Sequence, residues 1–144
     1  MIPLFWIRWL YAVTLVVILL GGSMVLMPGV ALEFFSILFY FALGGFQARY
    51  PAAANEYIIF AHGVLGAVMV GWGASMLLVL RGPFCRCDSD GWALLAVPML
   101  TWFVADTGFS LYTGFWQNAI LNSVLLVLFA IPLAATRKYF NGKG

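Results

Sequence analysis

The chain has 144 residues, of which 65% are apolar, and it carries only 7 Lys or Arg and 5 Asp or Glu residues at a mean hydropathy of +1.03. Soluble domains are about 45–50% apolar and about 25% charged, so this composition excludes a water-soluble globule. Since about 20 apolar residues cross a bilayer, four spans already use more than half of the chain and leave no room for a second, soluble domain.

The first charge-free run predicts a membrane span at about residues 9–28. It begins at Trp9 and is interrupted at Pro28 and Gly29. The run is longer than the 7–15 apolar residues of a signal peptide, and no A-x-A cleavage pattern directly follows it. An uncleaved span is therefore favoured over a signal peptide.

Residues 30–47 are apolar and aromatic but short for a full span. Their polar residues recur every three or four positions, which on one helix makes a narrow polar stripe against a wide apolar face. The residues of this stripe are Glu33, Ser36, Tyr40, Gly44 and Gln47. The pattern predicts an interfacial or partly inserted helix, and a fifth span is the alternative.

Three further apolar runs predict spans at about 57–80, 92–112 and 115–136. The first contains a single histidine, His62, and the second is interrupted by Asp106. The last two are separated only by a short polar break, so they form a tight helical hairpin.

The distribution of positive charge predicts the orientation, because short cytoplasmic loops carry the excess of Lys and Arg. With four spans, only Arg49 lies on one side and the other six lie opposite: Arg8, Arg81, Arg86, Arg137, Lys138 and Lys143. Five spans divide the same residues five to two. The sequence thus predicts an all-α integral membrane four-helix bundle, formed as one domain over 1–144, with the additional interfacial helix and both termini in the cytoplasm.

The second predicted span has small residues at every fourth position, Gly63, Ala67, Gly71 and Ser75. Faces of this kind let helices approach closely in lipid, where van der Waals contact is a main source of association. We favour packing of this face inside the chain's own bundle, and docking of a partner subunit is the alternative.

Ionisable groups inside a membrane are costly and are functional candidates by default. At about 1.5 Å per residue, His62 and Asp106 lie at matching depth below the outer surface. The candidate polar pocket adds two asparagines that share a helix face and two acidic residues near its rim: Asn118, Asn122, Glu56 and Glu33. Such a pocket would be proton-responsive or bind a ligand, whereas the alternative is simple hydrogen bonding between helices.

Three roles compete for His62: hydrogen bonding between helices, axial ligation of haem or a chlorophyll-type pigment, and proton relay. Hydrogen bonding is favoured. Because the chain contains one histidine, bis-histidine haem ligation within one copy is excluded, but His and Met ligation is not. No cofactor is required by the sequence.

The two cysteines, Cys85 and Cys87, lie in a loop predicted to be cytoplasmic, where a reduced pair is expected. Two thiolates are half of a tetrahedral zinc site, and Asp88 and Asp90 would complete only a weak one, so we predict no metal. The nucleotide-binding, protease and esterase motifs are missing from the sequence. The scattered basic residues give no support for nucleic-acid binding.

The second span from Ala61 to Leu80, with a His-Gly-x-x-Gly start and a Gly-Trp-Gly centre, followed by Asp106-Thr107-Gly108, Asn122 and Pro132, resembles the DoxX-like small four-span bacterial membrane proteins. The resemblance is one of layout. It implies a bundle in the bacterial inner membrane, and it slightly favours a redox role, because a few members are described as subunits linked to quinone reduction.

Together these features predict a non-catalytic component of a homo-oligomer or larger membrane complex. Two alternatives are a binder or carrier of a small lipid-soluble molecule such as a quinone, acting through the polar pocket, and a haem- or pigment-binding subunit that uses His62.

Overall fold

The computed structural model describes residues 1–140, and these fold into helices joined by short turns. Within this range four helices are long and apolar enough to cross a membrane. They are α1 (Leu4–Leu26), α4 (Ala52–Val79, continued by a π-type turn over Leu80–Phe84), α5 (Ala93–Tyr112) and α6 (Trp116–Thr136, continued by a 3-10 turn over Arg137–Tyr139). Two shorter helices, α2 (Pro28–Tyr40) and α3 (Gly45–Arg49), connect α1 to α4. The prediction of an all-α protein with four spans is confirmed. Lys143, used above for the orientation, lies outside the described residues.

Two of the spans begin earlier than the charge-free runs suggest. Helix α1 starts at Leu4, five residues before Trp9, and so includes the exposed Arg8. A long basic side chain near a helix end can reach the interface, so it does not terminate the helix. Helix α4 starts at Ala52, directly after Pro51, whose carbonyl accepts hydrogen bonds from the first turn.

The described chain forms two compact units, residues 1–15 with residues from 74 onward, and residues 16–73. In the unit of residues 16–73, α1 and α4 touch through their backbones. A Cβ atom on Gly21 would lie 2.7 Å from the carbonyl oxygen of Gly66, and one on Gly66 would lie 2.5 Å from that of Gly21. Further along, the side chain of Ile18 occupies the space beside Gly73. Glycine at these positions therefore permits the close packing of the two helices.

Helices α2 and α3 form a hairpin whose inner face joins the core of this unit. The buried cluster consists of Met24, Ala31, Leu32, Phe35 and Phe46. The chain reverses between α2 and α3 through two residues with left-handed backbone, Phe41 (φ 56°) and Gly44 (φ 65°).

Residues 30–47 therefore form two short helices instead of the one predicted helix, and their interfacial placement stays a prediction. The stripe residues hydrogen-bond across the hairpin. Glu33 accepts from the backbone N–H of Gly44 at 2.8 Å and from Gln47 Nε2 at 3.4 Å. The Ser36 hydroxyl donates to the carbonyl of Ala42 at 3.0 Å and accepts from the N–H of Phe46 at 3.3 Å. These bonds satisfy backbone groups that the reversal leaves without helical partners.

In the other unit, α5 and α6 form the predicted hairpin, which turns at Gly114 (φ 84°). Pro132 in α6 has no N–H, so the carbonyl of Leu128 lacks its helical donor. The indole N–H of Trp9 donates to that carbonyl at 2.9 Å. This bond joins the start of α1 to the proline-containing turn of α6, and it shows how a membrane helix tolerates proline.

Candidate functional site

The intramembrane carboxyl group of Asp106 lies in a cluster of polar side chains that connects α5 to α6. Its Oδ1 accepts hydrogen bonds from the Ser110 hydroxyl at 3.2 Å and from Asn118 Nδ2 at 2.9 Å. Asn118 Nδ2 also lies 2.8 Å from the Ser110 Oγ, to which it donates. Asp106 and Asn118 are half-buried and Ser110 is buried, so the three polar side chains satisfy one another away from bulk water.

A second polar contact lies one helical turn along the same interface. Asn122, which is only 4% exposed, donates from Nδ2 to the Thr107 hydroxyl at 3.3 Å. Asn118 and Asn122 thus share one face of α6, as their spacing predicts. Both asparagines bind α5, and the two contacts together fix the relative register of the hairpin helices.

Both donors of the Asp106 cluster converge on one carboxyl oxygen, Oδ1. An asparagine at this position also carries an oxygen that accepts hydrogen bonds. The contact between α5 and α6 therefore requires an acceptor at position 106.

His62 lies in the unit of residues 16–73, among aromatic residues of α2 and α3. Its Nδ1 is 2.7 Å from the carbonyl oxygen of Ile58, one turn earlier in α4. Since a carbonyl only accepts, this contact assigns the proton of a neutral ring to Nδ1 and leaves Nε2 as the acceptor. The rings of Phe35 and Phe46 approach edge-on, with centroids at 5.0 and 6.1 Å.

The two acidic residues placed at the pocket rim have different surroundings. Glu33 is engaged by Gly44 and Gln47 inside the α2–α3 hairpin, whereas Glu56 is exposed in the first turns of α4. The structure therefore joins Asp106 with Asn118 and gives Glu33 a structural contact. A pocket shared by His62 and Asp106 stays a prediction.

Four contacting side chains are missing from the sequence-based site. Ser110 follows Asp106 by four positions, so helical periodicity was a usable signal for it. The other three had no comparable signal, because their contacts join residues far apart in the chain: Thr107 with Asn122, and Phe35 and Phe46 with His62.

The row of small residues on α4 does not make the close helix contact in the unit of residues 16–73. That contact uses Gly66 and Gly73, which are buried, whereas Ala67 and Gly71 are exposed. A Cβ atom on Gly63 or Gly71 would have no atom of another helix within 4 Å, unlike a Cβ atom on Gly66. Ser75 is exposed as well. The close contact with α1 is thus made by the neighbouring glycines, and the role of the row as a packing face stays a prediction.

The loop after α4 holds both cysteines as free thiols. Burial, and next the nearby Cys87, raise the pKa of the Cys85 thiol above its ordinary value. Asp88, considered above as a metal ligand, pairs with Arg86 at 2.9 Å. Among residues 1–140 no group of three His, Cys, Asp or Glu side chains is arranged to hold a metal ion.

Comparison of the chain with protein-family models, with curated proteins and with solved structures finds no match. The resemblance to DoxX-like proteins accordingly stays a prediction from the sequence.

Proposed function

We propose that this membrane protein is a non-catalytic subunit that pairs with a second copy of itself through the row of small residues Gly63, Ala67 and Gly71 of α4, of which Gly63 is half-buried and the other two are exposed. The observation that carries the proposal is that α4 has two rows of small residues. Gly66 and Gly73 contact α1, while Ala67 and Gly71 of the second row are exposed and a Cβ atom on Gly63 or Gly71 would have open space beside it.

A second copy is the occupant that this surface fits best. Small residues at every fourth position remove side-chain bulk along one line, so another helix backbone can approach to van der Waals contact. In a two-fold symmetric pair the same patch serves both partners. One helix with one open row is therefore sufficient, and no complementary surface elsewhere is needed.

Disulfide cross-linking in membranes tests the contact directly. In a Cys85→Ser, Cys87→Ser background, Ala67→Cys should form a covalent dimer on mild oxidation. The matched control is Leu65→Cys, whose native side chain is 53% exposed and which lies roughly 200° away around the same helix. Equal cross-linking at both positions would indicate random collision and would contradict the proposal.

Native mass spectrometry in detergent tests whether the row is needed for pairing. The wild type should be dimeric, and a Gly63→Leu, Gly71→Leu variant should be monomeric but folded, since both positions have room for a side chain. Gly108→Leu is the control, because Gly108 also has open space beside it but lies on α5. A monomeric wild type, or a dimeric double variant, would refute the proposal.

A second function, binding of a flat lipid-soluble molecule such as a quinone, haem or a pigment, is favoured by the surroundings of His62. Metal-ligating histidines almost always donate their second ring N–H to a carbonyl or carboxylate, and the Nδ1 contact with Ile58 supplies this. The edge-on rings of Phe35 and Phe46 form an aromatic surface beside the imidazole. The oriented Nε2 is then the ligating or hydrogen-bonding atom.

A visible absorption spectrum of the purified wild type, with His62→Ala for comparison, tests the haem and pigment forms of this function. Fluorescence quenching by added ubiquinone tests the quinone form. A wild type that is colourless and is quenched no more than His62→Ala would rule out this second function.

We further propose that both termini are cytoplasmic and that the membrane is a bacterial inner membrane. The charge distribution supports the orientation, and the DoxX-like resemblance supports the location. An alkaline phosphatase fused after the last residue should be inactive, and an active fusion would contradict the orientation.

A further inference from the structure

A groove between α5 and α6 has a buried apolar floor and a cation at one end. Its volume is about 430 Å³, within the roughly 300–1,000 Å³ of small-molecule sites. Ala96, Met99 and Leu133 form the floor and are each at most 5% exposed. Ala130 and Ala134 line the exposed side, where their small side chains leave the groove open.

The end of the groove is built from Trp92 and Arg137. The Trp92 indole N–H donates to the carbonyl of Leu133 at 2.7 Å, which holds the ring across the two helices. The Arg137 guanidinium lies over that ring, 5.2 Å from its centroid, so a cation–π contact orients the charge at the groove. The cation therefore has a defined position beside the apolar groove.

Arg137 carries a charge that the described protein does not neutralise. The ion pair found among residues 1–140 joins Arg86 to Asp88, and Arg137 is exposed and followed by the exposed Lys138. Trp92 and Arg137 stand at the ends of apolar spans, where aromatic and basic residues meet lipid headgroups. The guanidinium of Arg137 therefore lies at the level of the lipid headgroups, which include anionic groups.

We propose that this groove is a binding site for an anionic phospholipid, with one acyl chain lying on Ala96 and Met99 and the phosphate contacting Arg137. An acyl chain matches the apolar lining, and a phosphodiester matches an oriented guanidinium beside a second basic residue. Basic pockets between transmembrane helices bind anionic headgroups in the same way. The inference is independent of the pairing through α4, because the groove lies on α5 and α6.

Native mass spectrometry of the full chain, titrated with dioleoyl phosphatidylglycerol or dioleoyl phosphatidylcholine, tests the site. The two lipids share acyl chains and differ in headgroup charge. The wild type should form a one-to-one adduct with the anionic lipid at concentrations where the zwitterionic lipid binds at least about fivefold less, the effect expected of one basic residue at a membrane surface. Equal binding of the two lipids would overturn the proposal.

Two substitutions test whether lipid binding depends on the charge of Arg137 or on the overall charge of the protein. Arg137→Gln should reduce anionic-lipid binding to the level of the zwitterionic lipid, whereas Arg8→Gln, which removes an exposed cation on α1, should not. If both reduce binding equally, the lipid responds only to overall charge and the site does not exist.

Ala134→Leu should fill the groove and abolish the adduct although Arg137 is kept. Ala105→Leu is the control, since Ala105 is an exposed alanine of α5 outside the groove lining. Ala130→Leu serves as a second filling variant if Ala134→Leu does not fold. Retention of the adduct in a folded filling variant would refute an acyl chain in the groove.

Discussion

Two adjacent glycines of α1 provide a direct test of the close contact between α1 and α4. A Cβ atom on Gly21 would lie 2.7 Å from the carbonyl oxygen of Gly66 and 2.7 Å from the Cβ of Met69. A Cβ atom on the next residue, Gly22, would meet nothing within 4 Å. Gly21→Ala and Gly22→Ala are therefore the same chemical change in the same helix turn, with different steric consequences.

The difference between the two variants isolates the packing effect. Replacing glycine by alanine favours a helix by about 1 kcal/mol in water, and this gain is common to both. The clash at Gly21 involves backbone, which no rotamer change relieves, so we expect an overpacking penalty of about 1–3 kcal/mol. Gly21→Ala should thus be less stable than Gly22→Ala by that penalty.

Unfolding of the purified protein by sodium dodecyl sulfate, followed by far-ultraviolet circular dichroism, measures this difference in the free energy of unfolding. Gly66→Ala should behave like Gly21→Ala, because its Cβ atom would enter the same contact. The double variant should be non-additive, since both substitutions separate the same two helices. Equal stability of the Gly21 and Gly22 variants would refute the backbone contact.

Three further predictions concern single side chains. Trp9→Phe removes the donor to the carbonyl that Pro132 frees and should lower the free energy of unfolding by about 1–3 kcal/mol; Pro132→Ala, which restores a helical donor, should remove this effect. Asp106→Asn keeps an oxygen for both donors and should preserve stability, whereas Asp106→Leu should lower it by about 1–2 kcal/mol in the same assay. Burial, and next the hydrogen bond with Tyr50, raise the pKa of Tyr40 from 10.0 to about 12, so the stability from neutral Tyr40 is present below pH 10 and is lost as the pH rises through 12. An absorbance titration in which Tyr40→Phe removes a transition near 10 would contradict that shift.

The spans were predictable because crossing a membrane requires long runs without charge, and such runs are visible in a single sequence. The α5–α6 hairpin was predictable for the same reason, and Asp106 and Asn118 followed from counting depth along its two helices. The span ends were less predictable, since Arg8 shows that a charge near a terminus is compatible with the helix.

The polar residues of 30–47 show where sequence periodicity stops being informative. Their spacing identifies residues that need hydrogen-bonding partners, but the spacing is the same whether the partner is water or the protein's own backbone. The left-handed backbone at Phe41 and Gly44 determines which partner is used. It reverses the chain and directs backbone N–H groups toward Glu33 and Ser36. A left-handed phenylalanine has no reliable sequence signature.

The two rows of small residues on α4 raise the same difficulty for helix packing. Small residues show that a close approach is possible, but they do not show which neighbour makes it. Gly66 contacts α1 because the residue that faces it there, Gly21, is also a glycine. Since neither residue has a side chain, the two backbones come into contact. Ala67 and Gly71 have no such requirement within this contact and stay exposed. Substitutions at Ala67 and Gly71 therefore leave the contact between Gly21 and Gly66 in place, whereas substitutions at Gly21 or Gly66 separate the two backbones.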